Sequence, residues 1–264
     1  MSIDVAVIPA AGRGTRMRPA TRVVPKALIT VIDRPAIQYA VEEAARAGAE
    51  EAIVVVDLDA GHLIAQHFKL DGPLPGLEDI RVRPVVQEEP LGLGHAVFEA
   101  AEMVGDRPFF CLLSDNIVRP GHDVLAEMAQ GSRDGEVSVM CLRHYPDEFL
   151  SRYGFVIPTS EVVDKYLDLG GAVEKPGAEN APSNLGLVGR YLFTPEVFSI
   201  LEKTAPGVGG EIQLTDAIHE LGVRGQLRGF VGEQDLLDVG TPQGLLQASG
   251  VLGRHIYGPD VFES

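Results

Sequence analysis

Little in this chain suits an oxidising compartment, a membrane or a nucleic acid. Of its 264 residues only two are cysteines. Cys111 and Cys141 both lie inside apolar, strand-like runs and lack metal-type spacing, so they read as buried thiols of a reducing compartment. No apolar run approaches the ~20 residues that a membrane-spanning helix needs. The first residues pass straight into a strand, without a charged leader and a long apolar segment, and the expectation is a soluble cytoplasmic protein. Positive charge is scarce: 22 Lys and Arg stand against 38 Asp and Glu, for a net charge of −16. That deficit excludes nucleic acid or an anionic membrane as the main partner. A small anionic substrate is not excluded, because screening over roughly 8 Å lets a local basic pocket dominate. Repeats and low-complexity tracts are absent, and the 30 glycines and 18 prolines are spread rather than gathered into a linker. The histidines lack metal-ligand spacing too, since His62 and His67 are too far apart in sequence to share a helix face.

What is present begins at the N-terminus. An apolar run over 3–8 feeds Pro9-Ala10-Ala11-Gly12-Arg13-Gly14-Thr15-Arg16, and Pro25-Lys26 follows. Glycine lets a backbone approach a ligand closely and reach positive φ. Successive backbone N–H groups in such a loop, here from Ala10, Ala11, Gly12, Gly14 and Thr15, make a concave anion site. Arg16 and Lys26 add full positive charge, so the expected guest is a polyphosphate. The loop is not a Walker A loop, because no Lys-Ser or Lys-Thr follows the glycine. Met17 stands where a dinucleotide fingerprint needs its third glycine, which disfavours a nicotinamide oxidoreductase.

The run over 3–8 suits a strand covered on both faces of a parallel sheet. Residues 35–47 carry Ile37, Ala40, Val41 and Ala44 at helical spacing and stop at Gly48. Strands over 52–56, 82–87 and 108–113, with helices over 61–68 and 93–103, continue the alternation. This predicts an α/β fold built on a Rossmann-like, doubly wound, mostly parallel sheet. Beyond it, 136–145, 153–158, 165–174 and 186–193 are strand-like with few helices between them, as in a mixed or antiparallel extension. A helix over 211–221, a strand over 226–231 and a helical tail complete the chain. No composition shift divides it. The expectation is a single domain over 1–264, with a nucleotide-binding half over about 1–135, a second half over about 136–240 and a tail over 241–264.

Ligands of open α/β sheets sit at the carboxyl ends of the strands. There the first strand delivers the glycine loop, the third delivers Gln87 and then Gly92-Leu93-Gly94-His95, and the fourth delivers Asp115. An acid after a buried apolar strand is costly unless compensated. Mg²⁺, held by one or two carboxylates with phosphates and waters, is the natural compensation for Asp115. Asp238 is the candidate second ligand, although its Gly240-Thr241-Pro242 context equally suits a turn carboxylate. In Glu174-Lys175-Pro176, Lys175 suits a phosphate and Glu174 can accept from two vicinal hydroxyls; alone, such a tripeptide is more often a strand-end turn. His95 reads as structural or as a peripheral phosphate contact.

Gly94-His95-Ala96, Glu174-Lys175-Pro176, Ala181-Pro182-Ser183-Asn184, Gly189-Arg190-Tyr191 and Glu211-Ile212-Gln213-Leu214-Thr215-Asp216 together resemble the bacterial UTP–glucose-1-phosphate uridylyltransferases, among the sugar-1-phosphate nucleotidylyltransferases. The resemblance implies that NTP and a sugar 1-phosphate give an NDP-sugar and pyrophosphate, most simply UTP with glucose 1-phosphate. It implies that the first loop and Lys26 hold the triphosphate, that Gln87 and Gly92 meet the uracil, and that Tyr153, Gly154, Glu174 and Lys175 meet the sugar phosphate. Asp115 and Asp238 would hold Mg²⁺, with Arg16, Lys26 and Lys175 as the catalytic cations and a homo-oligomer, dimer or tetramer, as the assembly. The Gln87 amide is expected both to accept from a pyrimidine N3–H and to donate to its carbonyl. The chain departs from that family at Ala27, Leu91 and Gly210, where charged residues are usual, and in a shortened stretch over 69–81. Ser114-Asp115-Asn116 and the turn at 238–242 look more like thymidylyltransferases, whose Asn116 and Tyr191 positions lie at the sugar site. A different nucleotide–sugar pair, or a catalytically silent nucleotide-sugar sensor, are the alternatives.

Overall fold

The computed structural model describes residues 3–69, 72–232 and 236–262. Leu70 and Asp71 of the shortened stretch, and residues 1–2 and 263–264 at the two ends of the expected domain, lie outside the described residues. The strands, in chain order, are β1 (Val5–Pro9), β2 (Thr30–Val31), β3 (Arg34–Pro35), β4 (Glu51–Val56), β5 (Arg81–Val86), β6 (Phe109–Leu112), β7 (Asn116–Val118), β8 (Ser138–His144), β9 (Gly154–Pro158), β10 (Tyr166–Glu174), β11 (Leu185–Phe193), β12 (Leu227–Val231) and β13 (Leu236–Asp238). The helices are α1 (Ala36–Arg46), α2 (Gly61–His67), α3 (Leu93–Phe98), α4 (Ala101–Val104), α5 (Val124–Gly131), α6 (Glu196–Leu201), α7 (Leu214–Val223) and α8 (Pro242–Tyr257).

Nine strands form one sheet in the order β5-β4-β1-β6-β11-β8-β12-β10-β9. The pairs β5–β4, β4–β1 and β1–β6 are parallel, so their carboxyl ends line one edge. From β11 onward the sheet is mixed: β11 runs antiparallel to β6 and β8, while β12 is parallel to β8. The expected doubly wound sheet with a mixed extension is what forms. Its central strands are apolar along their length because both faces are covered. Ile37, Val41, Val124, Leu125 and Met128 pack on one face, and Ala96, Val97, Leu201, Ala217 and Ile218 on the other. Pro84 sits in β5, at the sheet edge, where a missing N–H costs least.

Three local expectations need correction. The helix expected over 93–103 breaks into α3 and α4, because Ala100 N–H bonds Val97 O in a tighter turn. The helix expected from 211 starts only at Leu214, since Glu211–Gln213 is drawn out of helical geometry and Ile212 N–H donates to Leu91 O instead. Helices α5 and α6 occur where no helix was expected; each is short and is held by the tertiary packing of its buried side chains.

One charged group lies at the centre. Arg190 on β11 is 0% exposed, and its guanidinium donates to both carboxylate oxygens of Glu43 on α1 at 2.8–3.0 Å. Its remaining hydrogens go to the carbonyls of Leu113, Gly189 and Asn116. Removing one member of a buried pair strands the other. Arg190→Leu is therefore expected to lose about 3–5 kcal/mol of stability in urea denaturation, with part of the loss recovered when Glu43→Leu is added. A single variant as stable as the parent protein would show that the pair is not a structural constraint.

Candidate active site

The glycine loop leaves β1 with Ala10 N–H bonded to Val55 O at 2.7 Å. Gly14 has φ 58°, and a Cβ there would stand 2.9 Å from Lys26 Cβ and 3.0 Å from Thr21. Only glycine fits this close, left-handed turn. Thr21 Oγ1 donates to Gly14 O at 2.7 Å and fixes the loop against the segment that carries Lys26. By contrast nothing lies within 4 Å of a Cβ at Gly12, so the backbone of Ala11 and Gly12 faces open space. Thr15 and Arg16 begin a short 3-10 turn, with Arg16 exposed.

Asp115 follows β6 and is compensated within the protein. The Lys26 ammonium pairs with its Oδ2, and Asn116 Nδ2 donates to its Oδ1 at 3.3 Å. The antiparallel ribbon of β7 and β13 sets Asp238 opposite Asn116, and Val239 N–H donates to Asp115 O at 2.8 Å. A Cβ at Gly240 would stand 2.8 Å from Asp115 Oδ2, 2.9 Å from Asp238 Oδ1 and 3.0 Å from Lys26 Nζ. Two carboxylates and one lysine, far apart in sequence, thus converge on one point. Asp238 also accepts from Gly240 N–H at 2.7 Å, so the turn-carboxylate role and the site position coincide. No cluster of three or more metal-ligating side chains occurs among the described residues. Two carboxylates suit Mg²⁺, which takes its remaining ligands from phosphates and water.

Glu174 ends β10 opposite Gly154 on β9. Thr215, at the start of α7, donates to Glu174 Oε2 at 2.6 Å, and the Lys175 ammonium lies 3.1 Å from Oε1. Lys175 adopts φ 46°, and its N–H bonds Tyr153 O at 3.0 Å. Burial, then the nearby Asp238 carboxylate, push the Tyr153 hydroxyl pKa up, while Arg16 pulls it down. Tyr191 is buried in β11 beside Phe193, and desolvation above all, with the charge of Glu174 among lesser causes, raises its pKa.

Gln87, after β5, is 6% exposed. Its Nε2 is 3.1 Å from Gly92 O and 3.0 Å from His95 Nδ1. Both amide hydrogens are thereby used, so the expected donation to a base carbonyl does not fit this arrangement; the acceptor half of that expectation remains available. His95 Nε2 lies 3.2 Å from Glu99 Oε1. Gly92 and Gly94 are pinned against the Glu211–Ile212 backbone, with Gly94 N–H on Ile212 O at 2.9 Å.

The sequence reading missed Thr215, Glu99 and the Glu43–Arg190 pair. A carboxylate on the apolar face of residues 35–47 was the available signal for Glu43, and an arginine inside the apolar run over 185–193 the signal for Arg190. Thr215 stands within the 211–216 motif without a role assigned to it there, and nothing in the local sequence marks Glu99.

A glycine-rich loop, three cations and paired carboxylates at the carboxyl edge of this sheet define a nucleotidyl transferase. Residues 5–253 match the profile of the family described as nucleotidyl transferase, and the chain belongs to that family. Within it, the chain is 38% identical over 258 residues to the UTP–glucose-1-phosphate uridylyltransferase of Bacillus subtilis, covering 91% of this chain and 88% of the relative. It is 37% identical over 264 residues to UTP–glucose-1-phosphate uridylyltransferase 2 of Staphylococcus saprophyticus, covering 94% and 91%. A crystal structure of UDP-glucose pyrophosphorylase complexed with UDP-glucose superposes with a TM-score of 0.88 at 32% identity, covering 96% of this chain and 99% of that one.

Asp216, beside Thr215, has its carboxyl pKa raised, first by burial and then by the charge of Glu174. A carboxyl raised in the folded state stabilises fully below its unfolded pKa, and that contribution is lost as pH rises through the folded pKa. Asp216→Asn is therefore expected to raise the urea midpoint at about pH 7 and to give no such gain at about pH 3. An equal shift at both pH values would assign the effect to packing rather than to charge.

Proposed function

We propose that this protein transfers the uridylyl group of UTP to glucose 1-phosphate, giving UDP-glucose and pyrophosphate. The single observation that carries the reading is the meeting of Asp115, Asp238 and Lys26 at Gly240, beside the glycine loop, with β11 running from Gly189, next to Asn116, to Leu187, next to Gly154 and Glu174. The relatives' names supply the nucleotide and the sugar.

A phosphate oxygen of glucose 1-phosphate attacks the α-phosphorus of UTP. The P–O bond to the β-phosphate breaks, and pyrophosphate leaves with that electron pair. The attacking oxygen is already ionised, because the second pKa of a phosphate monoester is near ~6. No general base is needed, so the protein's work is positioning and charge neutralisation. Backbone N–H groups of Ala11, Gly12, Gly14 and Thr15 cradle the triphosphate, the expected Ala10 N–H being taken instead by Val55 O, and Arg16 and Lys26 neutralise the departing pyrophosphate. Lys175 holds the attacking phosphate. Glu174, kept in place by Thr215, accepts from sugar hydroxyls, with Gly154, Asn116 and Tyr191 around the sugar. Asp115 and Asp238 would hold Mg²⁺, which supplies charge neutralisation between the two substrates. Gln87 and Gly92 meet the uracil.

No helix among the described residues is long and apolar enough to cross a membrane. Cys111 and Cys141 are buried thiols outside any disulfide, which supports a cytoplasmic setting. Exposed Leu246, Ile256 and Tyr257 on α8 supply apolar surface for assembly as a dimer or tetramer.

The direct test is pyrophosphate release from a matrix of nucleoside triphosphates and sugar 1-phosphates. UTP with glucose 1-phosphate should be the fastest pair; a purine triphosphate better by tenfold or more would overturn the base. Asp115→Asn should lower turnover by more than about a hundredfold, the scale of one key electrostatic contact. Full activity in excess chelator, or in that variant, would remove the metal assignment. Arg16→Ala should lower kcat/KM for UTP more than it raises KM for glucose 1-phosphate, and Lys175→Ala should do the reverse. Equal losses on both substrates in both variants would sink the division of labour.

A further inference from the structure

Gln87 is buried, and its amide is not free to turn. The Gly92 carbonyl offers only lone pairs, so the Gln87 atom 3.1 Å away must be nitrogen, donating. The same nitrogen stands 3.0 Å from His95 Nδ1. Its second hydrogen therefore needs a lone pair on Nδ1, which puts the ring hydrogen of a neutral His95 on Nε2. Nε2 in turn lies 3.2 Å from Glu99 Oε1, a pure acceptor one helical turn further on. The Glu99 carboxylate is the anion beside Nε2 and favours a hydrogen there, Nδ1 accepts from the Gln87 amide, and the chain ends at the Gly92 carbonyl.

From this chain we infer that His95 and Glu99 are positioning residues that set the base specificity of the site. They keep both Gln87 hydrogens turned into the protein and leave Oε1, an acceptor, as the atom the amide offers to a base. The inference rests on the reading of Gln87 as the uracil contact. Uracil presents an N3–H donor to that oxygen. Cytosine presents a bare N3 lone pair in the same place, so two acceptors would meet. A site built to receive a donor rejects the analogue that lacks it more strongly than shape alone can. Thymine carries the same N3–H as uracil, so the device separates uracil from cytosine and is silent on the 5-methyl group.

The experiment compares kcat/KM for UTP and CTP, with glucose 1-phosphate saturating, in five variants. His95→Leu removes the acceptor and should lower the UTP-to-CTP ratio at least about tenfold, the worth of one good hydrogen bond to a buried amide. His95→Asn sets an amide oxygen near the position of Nδ1 and should restore most of the ratio. Glu99→Leu should lower it and Glu99→Gln, still an acceptor, should not. Gln87→Leu should abolish the discrimination. A His95 with a merely structural role would lower turnover with both nucleotides alike and leave the ratio within about twofold, inside the spread expected for independent effects; that result overturns the inference. A ratio unchanged in Gln87→Leu overturns the base contact on which it rests. A ratio lost in Gln87→Leu but kept in His95→Leu and Glu99→Leu overturns the positioning role alone. If His95→Leu does not fold, Glu99→Leu carries the same criterion.

Discussion

The site depends on one buried ion pair. Arg190 joins the sheet, through β11, to α1, through Glu43. The same guanidinium holds the carbonyls of Leu113 and Asn116, the residues on either side of Ser114 and Asp115. All five of its hydrogens are used. The planar fork is what allows a single side chain to satisfy a carboxylate and three carbonyls at once; a lysine could not. Asp115 therefore sits on a turn whose backbone is fixed from behind by a group that never reaches the ligand side. β13 then adds to the same turn, so Asp238 inherits its position from the same constraint. A buried pair of this kind is a poor source of stability compared with apolar packing. Its value here is that it allows one conformation for the loop that bears the carboxylate.

A second constraint ties the two halves together. The Ile212 backbone bonds Leu91 and Gly94 in the loop after β5, and a few residues on Thr215 bonds Glu174 at the end of β10. One short segment thus touches both places where the proposed reading puts substrate. This explains why the segment refuses the helix its sequence favours until Leu214: two interstrand-like hydrogen bonds at Ile212 outweigh helical propensity over three residues. It also gives the motif at 211–216 a purpose that neither its charges nor its spacing reveals, since its contacts are made by backbone and by a threonine hydroxyl.

The parallel half of the fold was legible because burial on both faces writes itself into sequence as short apolar runs. Val5–Pro9, Glu51–Val56 and Phe109–Leu112 are of this kind, and the alternation with helices then fixes handedness and the active edge. The α5 and α6 helices were not legible, because a helix of two turns carries too few residues to display a period. Among the site residues, those in recognisable loops could be named in advance. The partners could not. That Lys26 meets Asp115, and that Glu43 meets Arg190, are facts of topology, and no local pattern encodes a partner on another strand. Gln87 shows the opposite limit: its place was legible, but which of its two polar atoms serves the ligand follows only from the carbonyl and the imidazole packed against it.

The charges of the site make sense only with both substrates in view. Lys26 is held by Asp115 and Lys175 by Glu174, so each lysine expected on a phosphate already has a carboxylate. In a chain of net charge −16, an unpaired cation would be a rare resource and unpaired carboxylates a destabilising excess. Pairing them satisfies both. On the proposed reading, phosphates draw Lys26 and Lys175 away, and each carboxylate is then released to a task that suits a bare acceptor: Asp115 toward a divalent cation, Glu174 toward sugar hydroxyls. Thr215 keeps its hold on Glu174 through that exchange, and Asn116 keeps its hold on Asp115, so the carboxylates stay in place while their counter-charges change. On the proposed reading the Lys26–Asp115 and Lys175–Glu174 pairs mark where substrate charges enter, each phosphate taking a carboxylate's place beside its lysine.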